Sequence, residues 1–283
     1  MQQTHVAIIG AGGKMGTRIT TNLQNSPYAV SLVEKAEAGI ARVQSLGGTV
    51  VSAETALTVA NIIVFAVPDA RMREVTSELI PLAQPGAIVI MLDPAAAAAQ
   101  EVALRDNLHY VVCHPCHPAL FGVQASDEAR KDYFGGICAV QDIVIALMQG
   151  PEAAYTAAEA LCLAMFAPVR TAHRITVAQM AILEPAMAEV VAATAAVLMR
   201  EALEEAVRAG VPRPAATAFM LGHAQIPLAI AFGAIDSPFS DAAKIAIRYG
   251  QEQIIQPDWR KVFTPEHLHT VIHAMLHPAE EQS

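Results

Sequence analysis

Charged residues are scarce in this 283-residue chain, at 16% of the total, and they leave a net charge of −9. The missing basic excess argues against nucleic acid and anionic membrane surfaces as partners. Cysteine is rare too, with four residues, and no basic and apolar leader precedes the first predicted strand. We therefore expect a cytoplasmic protein without structural disulfides.

Apolar residues, in contrast, make up 54% of the chain, which is more than a monomer of this size usually buries. The stretch 217–235 has no charge and is about long enough to span a membrane. His223, Gln225 and Pro227 in its middle favour a buried or subunit-interface helix instead. The composition therefore predicts a homodimer that is not a membrane protein.

The first part of the chain alternates strand and helix patterns. Its apolar runs are HVAII, AVSLVE, NIIVFAVPD, AIVIMLD and HYVVCHP. Strands that are apolar on both faces and alternate with helices are typical of a doubly wound parallel sheet. We predict a Rossmann-type α/β domain over residues 1–172.

The remainder, residues 173–283, has a different character. No glycine occurs between Thr176 and Ala209, and Pro185 is the only proline there. This pattern predicts one long apolar helix that begins or kinks near Pro185, followed by shorter helices. We expect an all-helical domain that serves substrate binding and dimerisation.

A glycine-rich loop lies between the first strand and the first helix, where a dinucleotide fingerprint belongs. Its residues are Gly10, Ala11, Gly12, Gly13, Lys14, Met15 and Gly16, and a GxxGxxG pattern fits on 10, 13 and 16. Glu34 closes the second strand and would hold the ribose hydroxyls of the cofactor. The loop predicts NAD binding, with NAD favoured over NADP, although Lys35 beside Glu34 would help a phosphate.

A second cofactor-binding segment is predicted where the run NIIVFAVPD ends. Val67, Pro68 and Asp69 would lie at the carboxyl edge of the sheet and face the cofactor. The alternative is that Pro68 merely terminates the strand.

The stretch CHPCHPALFG interleaves Cys113 and Cys116 with His114 and His117. A single tetrahedral zinc ion would need severe strain to bind all four side chains, and a redox CxxC pair has no evident task in an NAD fold. The remaining alternatives are histidines that face the nicotinamide and substrate, as metal ligand or acid/base, and histidines bonded to backbone in a loop. The residues alone leave these open.

Two carboxylates interrupt the apolar surface of the long helix. Glu184 and Glu189 are five residues apart, so they do not share a helical face well. A carboxylate beside Pro185, at a helix break, is a candidate divalent-metal ligand or base, and a solvated glutamate is the alternative.

The motifs GAGGKMG and VFAVPD, with Glu34 and the long helix, resemble the superfamily of β-hydroxyacid dehydrogenases and ketol-acid reductoisomerases, which includes prephenate dehydrogenases. GAGGKMG together with CHPCHPALFG and ILEPAMAEVV is more closely similar to the D-apionate oxidoisomerase group of phosphogluconate dehydrogenase-like NAD-binding proteins. Simple hydroxyacid dehydrogenases carry a catalytic lysine near the start of the long helix, but this chain has no lysine from 132 to 243. Reductoisomerases place acids four apart there, whereas position 188 is Ala.

The resemblance implies NAD-dependent oxidation of a branched polyhydroxy acid, followed by a metal-assisted 1,2-migration. It implies a divalent ion, Mg²⁺ or else Zn²⁺, held by His114 and Glu184, with His117 and Glu184 as the catalytic residues. A simple hydroxyacid or prephenate-type dehydrogenase is the alternative, and a non-catalytic NAD sensor is a further one.

Overall fold

The computed structural model describes residues 3–278, which form one seven-stranded sheet and twelve α-helices. The strands are β1 (His5–Ile9), β2 (Ala29–Val33), β3 (Ile62–Phe65), β4 (Ile88–Met91), β5 (His109–Pro115), β6 (Gln141–Gln149) and β7 (Val169–Arg174). Their order is β2-β1-β3-β4-β5-β6-β7. The order reverses at β1, so the crevice between the carboxyl ends of β1 and β3 is where such sheets bind ligands.

The middle strands are the best-buried part of the molecule. Every residue of β3 and β4 is buried, in accord with their uninterrupted apolar sequences. Helices cover both faces of a doubly wound sheet, and strands inside it therefore need apolar side chains on both faces. The predicted Rossmann-type α/β fold is confirmed.

The sheet contains one antiparallel pair of strands, β5 and β6. The last strand, β7, is parallel to β6. Pro115, at the end of β5, is paired with Ile143 near the start of β6. The connection between these two strands contains one short helix, α6. It does not cross to the opposite edge of the sheet, so β6 starts at the carboxyl edge, where β5 ends. This connection, residues 116–140, therefore stays at the edge where ligands bind.

The first seven helices lie in the connections between the strands. They are α1 (Lys14–Leu23), α2 (Glu37–Ser45), α3 (Ala53–Leu57), α4 (Met72–Leu79), α5 (Ala95–Ala98), α6 (Asp127–Lys131) and α7 (Glu152–Met165). Side-chain caps begin two of them, since Ser52 and Ser126 accept hydrogen bonds from the backbones of Thr55 and Ala129. The described chain also contains three short 3₁₀ helices: Asp69–Arg71, Ile80–Leu82 and Trp259–Phe263.

The predicted long helix runs from Val177 to Arg208 and contains a π-helical stretch. It consists of α8 (Val177–Ala181), the π-helical residues Ile182–Ala193 and α9 (Thr194–Arg208). Pro185 lies inside the stretch; a proline removes a backbone donor and disrupts the regular helical hydrogen bonds. The expected irregularity at Pro185 is thus a change of helix type rather than a helix start.

Three more helices follow: α10 (Arg213–Ala231), α11 (Asp241–Ile254) and α12 (Pro265–Leu276). The chain divides into two compact units, one that ends at Ala181 and takes in the chain from His269 onward, and a second of Ile182–Leu268. The domain boundary predicted from the sequence lies between residues 172 and 173. Residues 1, 2 and 279–283 of the two predicted domains lie outside the described chain.

By length and composition, one described helix, Val177–Arg208, could cross a membrane. Length and apolar composition alone are weak evidence, because core and interface helices of soluble proteins share both properties. The stretch 217–235, considered above for the same reason, falls mainly in α10.

Candidate active site

A cleft of about 350 Å³ opens at the switch point of the sheet. It lies in the first unit, at the carboxyl ends of β1, β2 and β3. Its lining includes Gly10, Gly13, Glu34, Lys35, Arg42, Val67 and Pro68. Of the segments predicted to bind a cofactor, this cleft brings together the glycine loop, the end of β2 and the end of β3.

Two glycines shape the loop after β1. Gly10 has a φ of +82°, and a side chain there would also meet the carbonyl oxygen of Ala66 at 2.5 Å. Gly16 lies in the first turns of α1, where an added Cβ would be 2.1 Å from the carbonyl oxygen of Gly10. The loop and helix can approach this closely only without side chains, which leaves the N-terminus of α1 directed at the cleft.

Glu34 is held by backbone groups of the glycine loop and of the two residues that follow it. Its Oε2 accepts a hydrogen bond from the Gly12 N–H at 2.9 Å, and its Oε1 accepts from the N–H groups of Lys35 and Ala36 at 2.8 and 3.0 Å. Arg42 donates from Nε to the carbonyl of Gly12. The acid at the end of β2 is therefore fixed in position before any ribose binds.

Lys35, the residue that would favour a 2′-phosphate, points to a different partner. Its Nζ forms an ion pair with the carboxylate of Glu78 at 2.7 Å. Both side chains are well exposed, so this pair is weak. The pairing nonetheless offers Lys35 an alternative to a cofactor phosphate, in line with NAD as the cofactor.

Of the other predicted cofactor residues, some line the cleft and some do not. Val67 and Pro68 line it, and Asp69 begins the 3₁₀ helix that follows. Ala11 is buried in the core, and Met15 packs against that core. Lys14 instead places its Nζ 3.3 Å from the centre of the Phe134 ring.

His114 lies on β5, with its side chain partly buried. Its Nδ1 is 2.8 Å from the carbonyl oxygen of Leu92 and 3.8 Å from Oδ2 of Asp93. A carbonyl only accepts, so Nδ1 carries the hydrogen and Nε2 carries the lone pair. Burial lowers the pKa of His114 below its usual value, against the opposing attraction of Asp93, so the imidazole is neutral at pH 7.

His117, like His114, is hydrogen-bonded through Nδ1 to a backbone carbonyl. Its Nδ1 is 2.9 Å from the carbonyl oxygen of Phe134, so the neutral ring again has its lone pair on Nε2. The two histidine rings meet edge to face, with centroids 6.0 Å apart. His117 also lines a small cavity of about 130 Å³ together with Cys116, Gln124 and Arg170. Each histidine is thus oriented by a backbone carbonyl and presents one basic nitrogen.

The two cysteines of the same stretch lie in different surroundings. Cys113 is buried in the core and its thiol pKa is raised well above the usual value, first by burial and then by Cys162. Cys116 is exposed, yet partial burial and Asp142 raise its thiol pKa as well. Reactive thiols have lowered pKa values, so neither sulfur is activated for redox chemistry.

Asp93, which the sequence did not single out, lies beside His114 and is a further candidate site residue. It follows β4 as Asp69 follows β3, so its place at the carboxyl end of a strand was the available signal. Its Oδ1 accepts a hydrogen bond from the N–H of Ala95, which begins α5, and its Oδ2 faces His114.

The two glutamates predicted on the long helix belong to the second unit. Glu184 lies near the start of the π-helical stretch, and Glu189 is exposed further along that stretch.

Comparison with known proteins places these features in a family. Residues 123–276 match the family model for the phosphogluconate dehydrogenase (decarboxylating) C-terminal domain, and residues 5–94 match that for coenzyme F420-dependent NADP oxidoreductases. The D-apionate oxidoisomerase of Cupriavidus necator is 45% identical over 93% of this chain and 96% of that protein. The D-apionate oxidoisomerase of Rhizobium rhizogenes is 43% identical over 94% and 97%.

A solved structure is similar over almost the whole chain. It is a semialdehyde dehydrogenase NAD-binding protein from Cupriavidus necator in complex with calcium and NAD, with 43% sequence identity and a TM-score of 0.94. The alignment covers 97% of this chain and 100% of that one. The prediction of an NAD-dependent oxidoreductase is confirmed, and the chain belongs to the D-apionate oxidoisomerase family.

Proposed function

We propose that this chain converts D-apionate to 3-oxo-isoapionate. In the first step the carbon that bears the 2-hydroxyl loses a hydride and the hydroxyl loses its proton. In the second step a hydroxymethyl group moves from C3 to C2 as the 3-hydroxyl proton leaves and the C2 oxygen takes up a proton. When bound, NAD supplies the hydride acceptor, and a divalent ion supplies Lewis-acid polarisation of the ketone and the adjacent hydroxyl.

The observation that carries this proposal is the shared orientation of the two histidines. The Leu92 and Phe134 carbonyls each bind an Nδ1–H group, so each neutral ring has its lone pair on Nε2. His117 is the base that accepts the proton of the 2-hydroxyl through Nε2. The neutral form of His114 suits a metal ligand, because a protonated imidazole has no lone pair to offer.

The chain offers donors that fit a divalent ion. The Asp93 carboxylate lies 3.8 Å from Nδ1 of His114, the ring nitrogen that carries the hydrogen, so His114 would offer Nε2 to an ion beside this carboxylate. Carboxylates suit Mg²⁺ and Mn²⁺, and an imidazole suits Zn²⁺. We propose that Asp93, His114 and Glu184 are the protein ligands of this ion. Mg²⁺ is the ion we favour and Zn²⁺ the alternative; the similar Cupriavidus necator structure contains calcium.

We also propose that the protein is a cytoplasmic homodimer. In the single chain, the second unit buries few of its side chains: among residues 182–268 the buried ones are Pro185, Ala186, Ala216 and Ala229. Large apolar side chains are exposed along it instead, including Phe219, Phe232, Ile245 and Tyr249. Exposed apolar surface of this extent marks an interface, and a second copy of the same unit would cover it.

Product identification by NMR tests the proposed reaction. The purified protein is incubated with NAD, Mg²⁺ and D-apionate, and we expect NADH and 3-oxo-isoapionate in equal amounts. An unrearranged 2-oxo product would identify a simple dehydrogenase instead. Tight NAD binding without NADH formation from any of a panel of hydroxy acids would identify a sensor.

A further inference from the structure

The loop between α6 and β6 joins the cofactor helix to His117. Arg18 of α1 donates from Nη1 to the carbonyl of Gly135 at 3.1 Å. Asn22, one turn further along α1, donates from Nδ2 to the carbonyl of Gly136 at 3.0 Å. These bonds fasten the loop to the helix whose N-terminus faces the nucleotide cleft.

Asp132 holds the same loop from inside. Its Oδ2 accepts three backbone hydrogen bonds, from the N–H groups of Ile137, Cys138 and Ala139 at 3.0, 3.0 and 3.1 Å. The residue is buried, with 8% of its surface exposed. Burial alone would raise the pKa of Asp132, but these bonds and the charge of Arg18 lower it below the usual value, so the carboxylate stays ionised.

Phe134, which lies in this loop, contacts His117 directly. Its carbonyl oxygen lies 2.9 Å from Nδ1 of His117, and its ring meets the histidine ring edge to face with centroids 5.9 Å apart. His117 has a φ of +60°, a left-handed conformation that residues other than glycine seldom adopt. Such a conformation persists where surrounding contacts hold it, and the Phe134 carbonyl is one of them.

We propose that Asp132 is a positioning residue for His117, an inference that rests on the proposed role of His117 as the base. Asp132 closes the loop so that the Phe134 carbonyl is at hydrogen-bond distance from Nδ1. That bond selects the tautomer with the hydrogen on Nδ1 and directs Nε2 to the substrate. Asp132 itself touches neither substrate nor cofactor; it acts through Phe134.

A purely structural role for Asp132 makes a different prediction from a positioning role. Loss of a structural carboxylate would lower the thermal midpoint and leave His117 as it is in every molecule that folds. Loss of a positioning carboxylate changes the tautomer of His117 and the turnover rate while NAD binding persists. The tautomer is measurable without substrate, so it is independent of the proposed reaction.

The test uses protein labelled with ¹⁵N at its ten histidines. Long-range ¹H–¹⁵N spectra distinguish the two tautomers, and His117→Gln identifies the His117 signals by their loss. We expect the Nδ1–H form in the unsubstituted protein and a mixture with the Nε2–H form in Asp132→Ala. Asp132→Asn keeps an acceptor oxygen and should give a smaller change, and it replaces the alanine variant if that one does not fold.

Kinetics complete the experiment. We expect kcat to fall about 10–100-fold in Asp132→Ala, the range typical of a metal-bound histidine that loses its orienting partner, while the KM for NAD changes less than about threefold. Asp127→Asn, an exposed acid of α6, is the control and should match the unsubstituted protein. An unchanged His117 tautomer in a folded Asp132 variant would overturn the inference. Full activity of His117→Gln would instead overturn the proposed base.

Discussion

The Glu34 carboxylate accepts a hydrogen bond from the Gly12 backbone at 2.9 Å, which links the end of β2 to the glycine loop. A 2′-phosphate on the cofactor ribose would bring a second negative charge beside this carboxylate. We therefore expect NAD to be preferred over NADP in kcat/KM. Glu34→Gln keeps an acceptor for Gly12 and removes the charge, so the preference should shrink by about tenfold, or about 1.4 kcal/mol.

Initial rates with the two cofactors measure this preference. Glu37→Gln is a suitable control, because Glu37 is an exposed acid in the first turn of α2. The control should keep the original ratio. A ratio that Glu34→Gln leaves unchanged would mean that the carboxylate does not select the cofactor.

Strand positions and the cofactor loop were predictable because both depend on local sequence. Each apolar run of the first part became a strand, and the glycine loop after β1 lies at the switch point of the sheet. The direction of β6 was not predictable in this way. It depends on where the connection of residues 116–140 runs, and that is set by contacts such as Asn22 with Gly136, which are far apart in the chain.

The candidate chemistry was predictable only in part for the same reason. The sequence singled out His114 and His117 by their spacing, but it could not provide the carbonyls of Leu92 and Phe134 that determine the tautomers. Asp93 had a signal in its position after β4. Asp132 had none, because a carboxylate that binds backbone N–H groups in a loop has no characteristic sequence pattern.

Removal of the divalent ion should strongly reduce formation of the rearranged product. A ketol migration needs the ketone polarised and the neighbouring hydroxyl acidified, and the side chains proposed around the site do not themselves supply that polarisation. After treatment with a chelator we expect product formation to fall at least about tenfold and to return when Mg²⁺ is added. NAD binding, followed by fluorescence, should persist. Undiminished rearrangement in protein shown to be metal-free would contradict the proposal.

Glu184→Gln should weaken ion binding, because the substitution replaces a charged ligand by a neutral one of equal size. We expect the affinity for Mg²⁺ or Mn²⁺ in calorimetry to fall about 10–100-fold. Glu189→Gln, an exposed position in the same π-helical stretch, should leave the affinity unchanged. Equal affinities for the two variants would remove Glu184 from the set of ligands.

The pH dependence of ion binding should reflect the lowered pKa of His114. Only the neutral imidazole binds a metal, and protons compete with the ion below the pKa of the group. Burial lowers that pKa, so the affinity should be constant above about pH 6.5, the usual value, and should decline only below it. Calorimetric titrations from pH 8 to 5.5 measure this. A decline that begins above pH 7 would show that attraction by Asp93 outweighs burial.

Light scattering should show a dimer at micromolar concentration, and substitutions on the exposed face of α11 should dissociate it. Ile245 and Tyr249 are four residues apart on that helix, so they share one face, and 67% and 66% of their surfaces are exposed in the single chain. Ile245→Asp would place a charge from each subunit in an apolar interface, and we expect the dissociation constant to rise at least about 100-fold. Leu104→Asp, at an exposed apolar residue of the first unit, should leave the dimer intact. A monomeric unsubstituted protein would contradict the proposal directly.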